Sequence, residues 1–155
     1  MSDITFRPVD ASAFPRWRAE CAAGLAQELV TAGETVPEAA ETAAASLLDA
    51  LMPQGRDTPG HHVLVAEEDG RRVGTLWLAL KPETATVHVF DLRVEEELRS
   101  LGYGRAIMDL TEQWARDRGV TALTLDLFTA NTVARGLYLS MGYATTHERM
   151  RRSLV

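Results

Sequence analysis

Within Arg99-Ser100-Leu101-Gly102-Tyr103-Gly104, one cation, two hydroxyls and two glycines fall in six residues. Residues of these types in a tight turn can hold phosphate. Glycine lets the backbone approach the anion, the free N–H groups of a first helical turn point at it, and the helix dipole favours its charge. Arg99 would add a forked, permanently charged donor. The hexapeptide alone fits a second reading equally well, a strand-to-helix connection that needed glycine for its turn. Other phosphate loops do not fit. Ile107 stands where a dinucleotide-binding Gly-x-Gly-x-x-Gly has its third glycine, and no Gly-Lys-Ser/Thr ending marks a P-loop.

The elements that must position this loop come next. Residues 87–94 are apolar and β-branched, as in a strand, while Tyr103, Ile107, Leu110 and Trp114 recur at helical steps in a helix that Gly119 stops. Residues 121–128 read as a further strand. Strand, crossover helix and strand make those two strands parallel neighbours. Upstream, residues 4–9 alternate and end near Pro8, as a short edge strand does. Asp10 is placed to cap a helix running to about Ala32, with Phe14, Trp17, Cys21, Leu25 and Leu29 on its apolar face. Thr35-Val36-Pro37-Glu38 has the form of a capping box and opens a second helix to Leu51, with Ala40, Ala44, Leu47, Leu48 and Leu51 on one face. After a loop over residues 52–61, punctuated by proline and glycine, three strands are expected in meander: 62–68, 72–81 and 85–94. Asp69-Gly70 turns the first hairpin. A short helix starts at Asn131 and ends at Gly142. Residues 143–154 alternate enough for one closing strand or a tight pair.

At 155 residues the chain is expected to be one domain, 1–155, able to bury a core without staples. No stretch approaches the roughly 20 apolar residues of a membrane span. Met1-Ser2-Asp3-Ile4-Thr5-Phe6-Arg7 lacks the basic-then-apolar order of a leader, so a cytoplasmic protein with no membrane partner is expected. Cys21 is the only cysteine, which excludes an intrachain disulfide and a cysteine zinc cluster, and no metal is expected. With 16 basic and 22 acidic residues the net charge is −6, which argues against nucleic acid and is compatible with a cationic amine as partner.

The order strand, Arg-x-x-Gly-x-Gly loop, helix, strand is followed by Asn131, Ala134, Tyr138, Gly142 and Tyr143 at fixed spacing. Together these resemble the GNAT superfamily of acyl-CoA-dependent N-acetyltransferases. The two blocks span residues 87–154, and the helix pair and meander match the family's opening, so nearly the whole chain is covered. The resemblance implies an α/β (α+β) fold: a mixed, mostly antiparallel sheet with a central parallel strand pair that splays apart, flanked by about four helices. It implies acetyl-CoA as cosubstrate, its arm pairing with the backbone of Leu92, Arg93 and Val94 and contacting Asn131 and Tyr138. The pyrophosphate would sit on the amides of Leu101, Gly102, Tyr103, Gly104 and Arg105, with Arg99 and Ser100 in the same loop. The acceptor amine would enter from the opposite side, between the N-terminal helices and the 52–61 loop. That loop, with Met52-Pro53-Gln54-Gly55, looks like one bacterial subgroup of unassigned substrate. Only 13 residues follow Gly142, where many members close with a hairpin; this bears on the acceptor pocket and on any homodimer contact.

Acetyl transfer needs a neutral amine, a stabilised oxyanion and a proton or hydrogen bond for the leaving thiolate. An alkylammonium, with a pKa near ~10, must first lose a proton. A backbone N–H of Leu92 or Arg93 on the splayed strand is suited to the oxyanion. The resemblance places Tyr138 near the coenzyme sulfur as a donor; as a bare pattern it also suits a core position beside Leu137 and Met141. Asp91 stands where many members carry an acid near a strand bulge, and His88 near where some place a base. Three positions apart, they fall on opposite faces of an ideal strand and share a pocket only if a bulge intervenes. Asp126 is a further candidate at the open end of the sheet, and ordered water can replace a dedicated base. His61 and His62, adjacent in an extended stretch, point to opposite sides. The expected function is acetyl transfer from acetyl-CoA to a small amine or an amino terminus by direct attack in a ternary complex. The rivals are a silent acyl-CoA-binding regulatory domain and a protein lysine or N-terminal acetyltransferase.

Overall fold

A computed structural model describes residues 3–155; Met1 and Ser2, on which the leader reading partly rests, lie outside that range. Strands β1 (Ile4–Pro8), β2 (His61–Glu68), β3 (Arg71–Lys81), β4 (Thr86–Val94) and β5 (Ala122–Leu125) form one sheet in the order β1-β2-β3-β4-β5. Neighbours among β1 to β4 are antiparallel. β5 runs parallel to β4, as the crossover through helix α3 (Tyr103–Arg116) requires. Helices α1 (Phe14–Thr31) and α2 (Pro37–Leu51) precede the meander, and α4 (Thr132–Ser140) follows β5. No helix of the described residues is long and apolar enough to cross a membrane.

Period-two alternation along the strands sends side chains to both faces, and both are covered. Val63, Val65 and Trp77 pack with Trp17, Cys21, Leu48 and Met52 on one face. Leu64, Leu76, Leu78, Val87 and Val89 pack with Met108, Ala115 and Tyr138 on the other. On α2 the inward stripe is narrower than expected. Ala40, Ala44 and Leu48 are buried, whereas Leu47 is 43% exposed and Leu51 lies at the rim. Burial of Leu48 is worth on the order of 2 kcal/mol; Leu47 contributes much less.

The side-chain caps expected for α1 and α2 are both replaced. Asp10 does not cap α1 with its side chain, which Arg7 engages at 3.3 Å. Its carbonyl instead accepts from the amides of Ala13 and Phe14, both at 3.0 Å, and the helix starts at Phe14. The Thr35–Glu38 box is not formed either. Pro37 sets the first turn, so extended Val36 becomes the N-cap and Thr35 falls one residue too early.

Two departures shape the site. Trp77 pairs with Asp91 and Leu78 with Val89, so β4 carries one extra residue, Phe90, in a bulge. The Phe90 ring is held against Trp77 at 4.5 Å between centroids and against His88 at 4.6 Å. Secondly, the closing strand expected over residues 143–154 is absent, so the parallel pair ends the sheet instead of lying at its centre. The Tyr143 amide is tied back to the Tyr138 carbonyl at 3.0 Å, and Arg149 meets Glu34 at 3.8 Å. The tail therefore runs to the α1–α2 corner, where no strand edge awaits it.

Candidate active site

The β4–β5 ladder stops at Val89 paired with Leu125, while β4 continues to Val94. From Asp91 to Val94, β4 keeps β3 on one side and has no strand partner on the other. That leaves a short row of backbone donors and acceptors facing the gap. An extended, amide-bearing arm can pair with such a row as an added strand. Leu92, Arg93 and Val94, the residues expected to receive the arm, lie in this segment. Gly74, paired with Val94, lets β3 come this close: a Cβ there would collide with the Arg93 carbonyl oxygen and meet Ile107 Cδ1 at 3.0 Å.

The Phe90 bulge supplies the condition under which Asp91 and His88 share a face. Asp91 lies opposite Trp77, and Phe90 packs on the same α1-side cluster. Each then finds its own partners. His88 Nδ1 is 2.7 Å from Thr124 Oγ1 and Nε2 is 3.4 Å from Asp126, so both ring nitrogens engage β5 and the residue just after it. Burial holds the His88 pKa below its ordinary value, against the opposing pull of Asp126. Asp91 is half-buried, and its Oδ2, shielded from solvent, has no hydrogen-bond partner. The Arg93 guanidinium stands 3.7 Å from that oxygen. Burial raises the Asp91 pKa above its ordinary value, and Arg93 offsets only part of the rise. A buried carboxylate oxygen without a donor has vacant capacity for a cationic or N–H group.

Tyr138 projects from α4 into the opposite-face core and is 7% exposed. Burial, then the negative charge of Asp91, push its pKa up to about 12. The phenol is therefore protonated at neutral pH and stands as a donor. The two residues come from opposite faces and feel each other across the gap where β4 and β5 part. Tyr143 packs edge-on to Tyr138 at 5.4 Å and fixes its ring. Asn131 is the N-cap of α4, its Oδ1 accepting from the Ala134 amide at 3.2 Å.

At the end of β4, Ser100 (φ 62°) and Gly102 (φ 90°) both adopt left-handed backbone. Two such residues in three curl the chain so that successive amides converge, a concavity suited to anions. The first bond of α3 runs from the Ala106 amide to the Gly102 carbonyl at 3.1 Å. The amides of Tyr103, Gly104 and Arg105 precede it and are open donors. The Tyr103 hydroxyl donates to Glu68 at 2.6 Å and anchors the loop to β2. Arg99 Nε folds back to the Val94 carbonyl at 3.3 Å, and Arg105 bonds Ser140 Oγ, joining α3 to α4. Leu101 is 60% exposed beside them.

Sequence reasoning missed the α1 side of the site. Glu20 gathers Arg72 at 3.5 Å and Arg93 at 4.0 Å, and Arg72 also bonds Glu95. The Arg93 guanidinium lies over Gly24, where a Cβ would meet it at 3.1 Å. Two turns after Cys21, Glu28 has a raised pKa, chiefly from burial and then from Asp91. The helical period carried the signal: Glu20, Gly24 and Glu28 lie four apart on one face. His61 and His62 do part to opposite sides. His61 Nδ1 accepts from Trp77 Nε1 at 3.0 Å, and His62 sits edge-on to Trp114 at 5.2 Å.

A family model described as "Acetyltransferase (GNAT) family" matches residues 24–143. The chain is 29% identical over 154 residues to "Uncharacterized N-acetyltransferase YycN" of Bacillus subtilis, across 97% of this chain and 99% of that protein. The crystal structure of that putative acetyltransferase matches at a TM-score of 0.94, covering 98% of this chain and 99% of the other. "Mycothiol acetyltransferase" of Jonesia denitrificans is 34% identical over 89 residues, 56% of this chain and 28% of that protein.

Proposed function

The chain belongs to the GNAT acetyltransferase family, and on that premise we propose that this acyltransferase moves acetyl from acetyl-CoA to a primary amine, on a small molecule or an amino terminus. The reading takes residues 1–155 as one catalytic unit, cytoplasmic, without nucleic acid or membrane as partner and without metal. Attack is direct, in a ternary complex. The single observation that carries it is the end of the β4–β5 ladder at Val89, which bares the backbone of the later part of β4 just ahead of the left-handed Ser100–Gly102 turn.

The residues present fit the cosubstrate. Leu92, Arg93 and Val94 supply the free strand edge for the arm, and Asn131 stands at the head of α4 beside it. Leu101, Gly102, Tyr103, Gly104 and Arg105 supply amides for the pyrophosphate, with Arg99 and Ser100 shaping the loop. Acetyl-CoA supplies an activated thioester. Asp91 is the preferred base: its unsatisfied Oδ2 accepts a proton from the acceptor ammonium, and a pKa raised by burial makes that transfer less uphill. His88 is the second candidate, reaching the same face but committed to Thr124 and Asp126. A backbone N–H of Leu92 or Arg93 faces the gap and stabilises negative charge on oxygen. The Tyr138 hydroxyl donates to the leaving sulfur. With a pKa near 12 against an ordinary thiol value near 8.5, it acts as a hydrogen-bond donor and gives up no proton.

Thiol release measured with acetyl-CoA and a panel of amines, N-terminal peptides and lysine peptides tests the reading. Turnover with a small amine or an N-terminal peptide is expected. Coenzyme binding with no turnover for any acceptor would favour the silent regulatory domain, and turnover confined to lysine peptides the protein lysine acetyltransferase.

A further inference from the structure

On the face of β4 that α1 covers, two opposite charges stand side by side and neither is fully used. The Arg93 guanidinium and the Asp91 carboxylate, 26% and 25% exposed, approach to 3.7 Å. A bidentate arginine–carboxylate pair closes to hydrogen-bond distance, and this one does not. Arg93 is also 4.0 Å from Glu20, whose carboxylate is held by Arg16 at 3.0 Å and Arg72 at 3.5 Å. Among the described residues the guanidinium therefore makes ion-pair contacts but no hydrogen bond. Beside it, Asp91 Oδ2 has no hydrogen-bond partner either.

The surroundings keep this pair open. Gly24 lies inside α1, where glycine weakens a helix relative to alanine, and a Cβ there would meet Arg93 Nη2 at 3.1 Å. Thr75, across the ladder from Arg93, is 2% exposed, and its Oγ1 is unpartnered. Trp17, which packs edge-on to Trp77 opposite Asp91, is 3% exposed with its Nε1 unpartnered. Buried polar groups are normally satisfied, so three unmet atoms on one face point to a polar ligand. The charges are graded along that face. Arg72 stands behind Glu20 at the Arg93 end, while Glu28, two turns along α1 from Glu20, feels Asp91 more than Arg93.

We propose that the acceptor is an α-amino acid, its ammonium seated on Asp91 and its carboxylate on the Arg93 guanidinium. The proposal rests on the acetyl-transfer reading and narrows its acceptor. An ammonium and a carboxylate carried by one carbon lie a few ångströms apart, as Asp91 Oδ2 and the Arg93 guanidinium do. The four charges then alternate around a small ring, and the guanidinium takes the carboxylate with two parallel N–H bonds. A plain alkylamine would leave Arg93 unanswered, and a peptide's amino terminus would offer it only a neutral carbonyl. In the transfer, one ammonium proton passes to Asp91, and the nitrogen lone pair forms the bond to the acetyl carbon. The C–S bond breaks with its electron pair on sulfur, which takes the second nitrogen proton. The product is an N-acetyl amino acid with its carboxylate still on Arg93. Arg93 thus sets specificity: it holds the substrate and takes no part in the proton transfers.

Turnover by the full chain with acetyl-CoA is measured for L-alanine, L-leucine and L-phenylalanine against ethylamine, isoamylamine and phenethylamine, which lack only the carboxylate. In at least one pair the amino acid is expected to exceed its amine in kcat/KM by roughly tenfold or more, the worth of a charged hydrogen bond. In Arg93→Gln that ratio should fall to about one, with the amino acid's KM carrying the change. Amines used as well as amino acids, turnover confined to peptides, or a ratio unchanged in Arg93→Gln would overturn the proposal and leave acetyl transfer standing. Should Arg93→Gln fail to fold, Arg93→Lys, which keeps the charge and loses the fork, is read the same way. If no acceptor turns over, calorimetric titration of the same compounds separates the two readings. Amino acids that bind roughly tenfold tighter than their amines keep the seat while the transfer reading fails; equal binding, or none, overturns both.

Discussion

Asp91 stands opposite Trp77 across the β3–β4 ladder, and the residue before it, Phe90, stands opposite nothing. That single unpaired residue turns Asp91 onto the face of His88 and leaves its Oδ2 buried without a hydrogen-bond partner. The pairing of β4 with β5 has already ended one residue earlier, at Val89. Bulge and splay fall at the same place, so the base candidate and the free strand edge are products of one irregularity.

Asp91→Asn should lower kcat by roughly 10²–10⁴-fold. Its pKa is raised in the folded chain, so the fold binds that proton more tightly than the unfolded chain does. Ionisation of Asp91 therefore opposes folding above the folded pKa, and the penalty vanishes below the ordinary carboxylate value. Asp91→Asn should accordingly match or exceed the parent in urea midpoint at pH 7, and lose that advantage near pH 3. In kcat/KM against pH, an acidic limb that survives Asp91→Asn but disappears in His88→Gln would move the base to His88.

Tyr138→Phe should keep acetyl-CoA affinity within a few-fold while kcat falls roughly 10- to 100-fold. That is the worth of one hydrogen bond to a developing anion, about 1.5–3 kcal/mol. Steady-state kinetics beside calorimetric titration of acetyl-CoA separates the two effects. Equal turnover in the variant would take Tyr138 out of the chemistry.

Gly102→Val places a β-branched residue at φ 90° in the anion loop. Strain of about 1–3 kcal/mol at that position should weaken acetyl-CoA binding by roughly 5- to 150-fold by calorimetry. Unaltered affinity would mean the pyrophosphate is held elsewhere.

His62→Phe should flatten the acid side of the stability profile. Burial lowers the His62 pKa in the folded chain. The unfolded chain thus takes up that proton first, and stability is lost as pH falls from the ordinary histidine value, near 6.5, through the folded one. Phenylalanine retains a ring against Trp114 and cannot titrate. Urea midpoints at pH 7.5 and 5.5 should differ less in the variant than in the parent; an equal difference would place the acid sensitivity in other groups.

Gly74→Ala should cost about 1–3 kcal/mol in chemical denaturation, because its Cβ would be driven into the Arg93 carbonyl. Wild-type stability in this variant would show that β3 and β4 can separate freely there.

Much of this was legible in the residues themselves. Alternation and helical steps located every strand of the meander and all four helices, and Asn131 caps α4 through its side chain as its type suggests. The Arg99–Gly104 run announced a turn into a helix because its signal is local: glycine, a left-handed turn and a helix start lie within six residues. Helix starts were less legible. Asp10 and Thr35 have the right chemistry, but Arg7 and Pro37 took precedence, and competition between neighbours is not written in either residue alone.

What the chain decided by itself is whatever depends on spacing within one element: the parallel crossover, the glycine turn into α3, the parting of His61 and His62. What only the tertiary structure decided depends on counting across two strands. The register of β3 against β4 makes Phe90 the extra residue and sets the face on which Asp91 lies. The packing of α1 over that face brings Glu20 and Glu28 to it. The tail makes the same point in reverse. Its alternating residues qualify it as a strand, but a strand exists only where an unpaired edge meets it, and within this chain none does.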